Sequence, residues 1–328
     1  MALRFVWLFV SSFWQTVAAR VERGPLRPTW SLSFEATLRA LRRDWDETAG
    51  WPLARLREDV NTRPYPLGMA RKVRMEDASL GGVPVVVFEP RDGASPGAGT
   101  VLFFHGGSYI YGSSRTTHAD TIARLAVACR TRVVSVEYRL APEHPFPAQR
   151  DDALAVFRAL VAQGTPPGRI IVCGDSAGGN LAIELQLALR DLGEAQAGAA
   201  VLLSPWCDLT MPGASFRDND PFDFGTREVL VRHARAFAGD AALDDPRVSP
   251  AFARLEGLAP TFVAAGEAEI PRDDILAFAE RLRSAGVDVT LEVSRDMPHN
   301  AAVFADMHPS GEALVAAVAR FVGERFAR

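Results

Sequence analysis

From about residue 71 onward the chain alternates between two kinds of segment, and that alternation restricts its fold more than any other feature. "VPVVVF", "TVLFF", "RVVSVE", "RIIVC", "AAVLLS", "PTFVAAG" and "VTLEV" are short apolar, β-branched-rich runs bounded by Gly, Pro or polar residues. Between most of them lie helix-length stretches: "ADTIARLAVACR", "DDALAVFRALVAQ", "GGNLAIELQLALRDL" and "DDILAFAERLRSAG". Strands separated by helices of that length pair in parallel, and a parallel sheet is covered on both faces. The expected fold class is therefore α/β. A chain of 328 residues can bury such a core without a disulfide or a metal.

Two regions stand outside the alternation. Residues 205–249 contain "DLTMPGASFRDNDPFDFG" and a helical "TREVLVRHARAFAG", with no strand pattern. An insertion at this point lies above the carboxyl ends of the strands, where parallel sheets bind their ligands. Upstream, Phe34, Leu38, Leu41 and Trp45 repeat at helical spacing until Gly50 and Pro52 end the pattern. The organisation expected is one domain over 1–328. Its core is 70–204 and 250–328, and a helical cap comes from 1–62 plus the 205–249 insertion.

The first twenty residues, "MALRFVWLFVSSFWQTVAAR", imitate a signal peptide. They are too short to span a bilayer core, which needs about 20 apolar residues. As a helix, Phe5, Phe9, Phe13 and Val17 adjoin Val6, Val10, Trp14 and Val21, opposite a stripe of Arg4, Ser11, Gln15 and Glu22. We expect the apolar face to pack on the body of the protein. Residues 1–75 hold more arginine than acid, so weak contact with a membrane surface stays open as a second reading.

The chemistry concentrates at "RIIVCGDSAGGNLAIELQLALR", where an apparent strand turns directly into a helix at Ser176. Gly174 and Gly178 flank it at two residues on either side, which clears space around a strained turn and leaves the serine hydroxyl standing at the sheet's rim. The new helix's N-terminus favours negative charge nearby. The bland alternative is a tight turn with a capping serine. A second signal is "VLFFHGGSYIYG": a strand ends at Phe104, and the glycine turn at 106–107 can aim backbone N–H groups inward.

With "HGGS", "YRLAPEHPFPA" at 138–148, "GDSAGG" at 174–179 and "LLSPWCDLT" at 202–210, the chain resembles the hormone-sensitive-lipase-like carboxylesterases of the α/β-hydrolase fold. The resemblance covers most of the chain from about residue 70. It implies an eight-stranded, mostly parallel sheet with helices on both faces and a helical cap. It also implies an oxyanion hole at Gly106, Gly107, Ser108 and Ala177, the donors by analogy being the amides of Gly107, Ser108 and Ala177. Ser108 replaces the third glycine common in the family and keeps its N–H.

Chain order in this fold runs nucleophile, acid, base, so only His233, His299 and His308 are candidates for the base. His299, in a turn beyond the last strand, is the choice. His233 falls on a helix of the insertion, and His308 reads as a surface residue. Glu269 fills the acid's place in the family pattern, with Asp273 as the competing carboxylate. Asp273 and Asp274 read more simply as caps of the following helix, and Glu267 and Asp296 as solvated charges.

The expected function is a serine carboxylesterase acting on a small-molecule ester through an acyl-enzyme with Ser176, His299 and Glu269. The alternatives are a lipid- or steroid-ester hydrolase working at a membrane surface and a silent hydrolase-like ligand-binding protein. No cofactor or metal is expected. A net charge of −4 gives no reason to expect nucleic acid. Cys129, Cys173 and Cys207 have no metal spacing and read as reduced thiols of a cytoplasmic rather than secreted protein. Oligomeric state is open, a homodimer included. Tyr109, Tyr111, Phe222 and Phe224 serve equally as pocket or core aromatics.

Overall fold

The computed structural model describes residues 2–327 except 64, 66 and 96. In chain order, α1 (Ala2–Arg23), α2 (Leu32–Thr48) and α3 (Leu53–Thr62) precede a hairpin of β1 (Val73–Leu80) and β2 (Val83–Pro90). Then come β3 (Thr100–Phe104), α4 (Ala119–Cys129), β4 (Arg132–Val136), α5 (Ala148–Ala162), β5 (Ile170–Asp175), α6 (Ala177–Asp191) and β6 (Ala199–Leu203). The insertion carries α7 (Ser215–Asp218) and α8 (Arg227–Ala238), and the chain finishes with β7 (Thr261–Gly266), α9 (Arg272–Ser284), β8 (Val289–Ser294) and α10 (Pro309–Phe326).

The eight strands form one sheet in the order β1-β2-β4-β3-β5-β6-β7-β8. β1 and β2 pair antiparallel, as do β2 and β4, and every other pairing is parallel. β1 escapes a reading by apolar runs because "VRMEDASL" buries only its two ends. Side-chain alternation along the central strands divides the core. Leu102, Val172 and Leu202 pack with α5 and α6 on one face. Phe103, Ile171 and Val201 pack with α4 and α10 on the other. Each such fully buried aliphatic contributes roughly 1.5–3 kcal/mol, so the central strands hold the sheet's rim rigid.

Register then sets the site. Phe104 lies beside Gly174, Asp175 beside Leu203, Leu203 beside Ala264, and Gly266 beside Ser294. The turns that follow β3, β5, β6, β7 and β8 therefore leave the sheet at one edge.

The N-terminal helix packs on α2 but, against expectation, turns part of its apolar face outward, with Phe5, Phe9, Phe13 and Val17 only half-buried. Leu8, Ser12 and Thr16 are its buried residues, while Val6, Trp7, Val10, Trp14 and Val21 are exposed. The reason lies in α2, which offers polar groups to it. Arg43 donates to Ser11 Oγ (2.8 Å), Arg39 Nε to Thr16 Oγ1 (3.1 Å), and Arg4 pairs with Asp44 and with Glu47. Among the described residues no helix is long and apolar enough to cross a membrane.

Candidate active site

β5 ends at Asp175 and α6 begins at Ala177, leaving Ser176 alone at the junction with φ +54° and ψ −119°. That left-handed backbone costs a non-glycine residue energy, and such strain persists only where neighbours over-determine it. Here Ser176 N–H donates to the Leu203 carbonyl (2.9 Å), and its own carbonyl accepts from Trp206 N–H (3.0 Å). A Cβ on Gly174 would overlap the Gly178 backbone, and one on Gly178 would overlap the Phe104 carbonyl. Strand and helix pass this closely only through glycine.

Glu269, in the turn after β7, is fully buried. Its Oε1 accepts from Gly266 N–H (2.5 Å) and Ser204 Oγ (3.2 Å), and its Oε2 lies 2.7 Å from His299 Nδ1. Burial alone disfavours the imidazolium. The hydrogen bond to Glu269 and the charges of Glu269, Asp223 and Asp175 outweigh it, and the His299 pKa lies above its ordinary value. Ser204 Oγ also accepts from Asn300 N–H (3.0 Å), so one hydroxyl joins Glu269 to the residue beside His299.

The loop after β3 turns through Gly107 (φ +111°), Ser108 (φ +54°) and Tyr109 (φ +65°). Gly107 is required, since a Cβ there would overlap the Tyr111 carbonyl. The Gly106 N–H is spent on Asp175 Oδ1 (3.0 Å), so of the expected loop amides it does not face outward as a free donor.

The residues 101–303 match the family model of the alpha/beta hydrolase fold. An acetyl-hydrolase of Streptomyces hygroscopicus is 39% identical over 206 residues, 61% of this chain and 67% of that protein. A carboxylesterase of Mycobacterium tuberculosis is 35% identical over 277 residues, 78% of this chain and 83% of its own. A solved esterase from the bacterial hormone-sensitive lipase family superposes with a TM-score of 0.77 at 32% identity, covering 99% of each chain. The chain belongs to the hormone-sensitive-lipase-like esterases of the α/β-hydrolase fold.

This esterase is a carboxylic ester hydrolase by that kinship, and its rim encloses a cavity of about 210 Å³. Gly107, Ser108, Ser176, His299 and Asn300 supply its polar wall, and Leu41, Trp45, Tyr111, Trp206, Phe224 and Phe304 are among the apolar residues opposite. Of the four aromatics left open by sequence, Tyr111 and Phe224 line this cavity. Tyr109 is buried against Phe237 (ring centroids 3.7 Å apart), and Phe222 lies under the Arg27 guanidinium.

Asp223 and Asp175 also line this cavity and were not singled out from the sequence, although Asp175 falls within "GDSAGG". Asp223, from the insertion, accepts from His299 N–H (3.2 Å) and Phe224 N–H (2.8 Å) with Oδ1, and from Ile270 N–H (2.8 Å) with Oδ2. Burial pushes its pKa up to about 6. Asp175 Oδ2 accepts from Asn300 Nδ2 (2.6 Å) and lies 3.2 Å from His118 Nε2. Burial opposes its charge, but His118, His105 and the Gly106 amide hold it below the usual aspartate value.

Several expectations are corrected. Pro271, not an aspartate, precedes α9. Asp273 instead accepts from Ser215 N–H (2.9 Å) in the insertion and pairs with Arg272, away from His299. Burial beside Asp208 raises Asp274 to about 7. Asp296 is buried, holding Thr29 Oγ1 (2.8 Å) and, through its carbonyl, Trp30 Nε1 (2.7 Å). Glu267 accepts from Asp296 N–H (2.9 Å). His308 is buried too: it caps α10 by accepting from Ser310 N–H, and it meets Thr29 at 3.1 Å. Asp296 and His308 are enclosed because the α1–α2 connector packs against them through Thr29 and Trp30. His233 sits half-buried beside Trp45 and Tyr111, its pKa lowered by burial to about 4. Among the described residues no group of three or more His, Cys, Asp or Glu could hold a metal ion.

Proposed function

We propose that the esterase cleaves small apolar carboxylic esters through an acyl-enzyme formed on Ser176. His299 takes the serine proton as the hydroxyl attacks the carbonyl, and Glu269 fixes the imidazole tautomer and steadies the imidazolium. The amides of Gly107, Ser108 and Ala177 receive the oxyanion, each such donor being worth about 10²- to 10³-fold in rate. Gly106 anchors that loop to Asp175. His299 then returns the proton to the leaving alcohol, and water, activated by the same base, releases the acid.

The observation that carries this reading is the 2.7 Å contact of His299 Nδ1 with Glu269 Oε2, made while His299 and Ser176 face one cavity. An imidazole held at Nδ1 presents Nε2 for proton transfer. The apolar wall supports an ester with hydrocarbon on at least one side. Residues 1–62 and 205–249 act as the cap over a core of 70–204 and 250–328, since α2 and the insertion both contribute wall residues. The three cysteines, free among the described residues, support a reducing cytoplasmic setting.

Fluorophosphonate labelling and a chromogenic ester panel test the proposal. Modification of Ser176, with hydrolysis abolished in Ser176→Ala, is the expected result. A protein that binds esters while Ser176 stays unlabelled would be a silent binding relative instead.

A further inference from the structure

The outward face of α1 is apolar from Val6 to Val21. Val6, Trp7, Val10, Trp14 and Val21 expose 52%, 59%, 50%, 66% and 83% of their surface. At 100° per residue these five positions fall within about a third of the helix circumference, and the half-buried Phe13 and Val17 fall in the same arc. Single exposed apolar residues need no explanation, but a contiguous patch does. The side of the helix turned inward runs through Leu8, Ser12 and Thr16, which leaves the line from Val6 to Val21 facing outward.

We propose that this face docks on the surface of an anionic lipid bilayer, with α1 lying in the interfacial plane. Three observations select lipid over a second protein chain. Two of the exposed residues are tryptophans, whose amphipathic rings settle at the headgroup level. Arg43 reaches from α2 along the Trp7 edge, its guanidinium 5.3 Å from the indole centroid, and Arg39 stands beside Thr16. An arginine beside an exposed tryptophan suits an interfacial helix on acidic headgroups, and here Arg43 also lies 4.0 Å from Glu47. The charge of the chain is also polarised. Residues 1–75 carry thirteen Arg and Lys against seven Asp and Glu, while the remainder carries 23 against 33. Within that stretch, residues 2–48, which form α1, its connector and α2, hold seven Arg against five Asp and Glu.

The size of the face points the same way. A 22-residue helix is about 33 Å long and about 10 Å wide, which offers roughly 300 Å². A stable protein interface needs about 800 Å² from each partner, whereas a bilayer needs only a face that inserts to headgroup depth. α2, the helix beneath, turns Leu41 and Trp45 into the ester cavity. Docking through α1 therefore sets the cap layer, rather than the opposite side of the sheet, against the lipid. This inference is independent of the catalytic assignment.

The test is co-sedimentation of the full chain with vesicles of phosphatidylcholine alone or with phosphatidylglycerol, at low and high salt. The wild type is expected to pellet with the acidic vesicles, to release in high salt, and to be quenched by brominated lipid. Trp7→Gln/Trp14→Gln should partition at least tenfold less and lose the lipid quenching. Its melting curve and its turnover of a water-soluble acetyl ester should match the wild type. Equal pelleting of wild type and double variant, or no pelleting of the wild type, overturns the proposal. So does a lipid-free dimer that the double variant abolishes, since α1 would then be a self-interface.

Discussion

Asp223 accepts the backbone N–H of His299 at 3.2 Å, with the carboxylate that also holds Ile270, one residue beyond Glu269. A residue of the insertion thus spans the turn after β7 and the turn after β8, both of which leave the sheet at its rim. Because the contacts are to backbone, they set where each turn sits and leave the side chains free to meet each other. Asp223 is a positioning residue in the proposed mechanism.

Its charge also bears on pH. His299 must be neutral to accept a proton, so activity rises with pH through its pKa, which lies above 6.5. The acid limb of kcat/KM should accordingly fall above pH 6.5. Asp223→Asn removes one of the negative charges that raise His299, and it turns an amide donor toward a backbone N–H. We expect the acid limb to move to lower pH and kcat to drop, where a merely structural loss would leave the limb in place.

Stability should follow the same group with a fixed sign. The Asp223 pKa rises from 3.8 to about 6 on folding, so its favourable contribution is full below pH 3.8 and is lost as pH climbs through 6. Two pH units correspond to at most about 3 kcal/mol. Urea denaturation at pH 4, 5, 6 and 7 should show Asp223→Asn gaining on the wild type as pH increases.

Glu269 and Asp273 are separated by mutation. Glu269→Gln puts an amide donor where His299 Nδ1–H needs an acceptor, and kcat should fall by about 10³- to 10⁴-fold. Asp273→Asn touches only the Ser215 and Arg272 contacts and should keep near-wild-type turnover. The reverse ranking on a chromogenic ester would transfer the acid's role to Asp273.

Trp45 and Tyr111 form a wall shared between the ester cavity and a second one of about 240 Å³, lined by Trp51, Leu56, Ile110 and Val229. Trp45→Leu should join the two. The measurement is the kcat/KM ratio of octanoyl to acetyl ester, expected to increase by about tenfold because extra methylenes gain apolar contact.

Gly178→Ala tests the crossing of strand and helix at the serine. Its methyl would meet the Phe104 carbonyl, which the β3–β4 and β3–β5 pairings hold in place. A loss of about 3 kcal/mol or more, read as a lowered urea midpoint, is expected together with lost activity.

Periodicity made much of the fold legible. Seven of the eight strands stand out as apolar runs: β3 to β7 because central strands are buried on both faces, β2 and the edge strand β8 because their sequences are β-branched-rich. β1, an edge strand with a mostly exposed middle, leaves no such run. The serine turn is visible because its constraint is local: Gly174, Ser176 and Gly178 report a strained junction within five residues. Chain order leaves three histidines and the turn beyond the last strand singles out His299, but neither separates Glu269 from Asp273, since both follow β7 closely. Only the fold of the turn, with Gly266 N–H and Ser204 gripping Glu269, aims that carboxylate at the imidazole.

The buried charges were beyond reach for a different reason. Asp223 lies 76 residues from His299, and Asp296 lies 267 from Thr29, so neither partner is visible in the local pattern that marks a charge as solvated. The same limit governs α1. Its sequence determines that it is a helix with one apolar and one polar side, because side-chain period is a local property. Which side turns inward depends on what stands across from it, and α2 presents Arg39, Arg43 and Asp44. The sequence by itself determined the sheet, the strained serine and the two-sided first helix, all written in neighbouring residues. The tertiary structure alone decided which carboxylate meets His299, which charges are enclosed and which way that helix faces, because each depends on groups brought together only by folding.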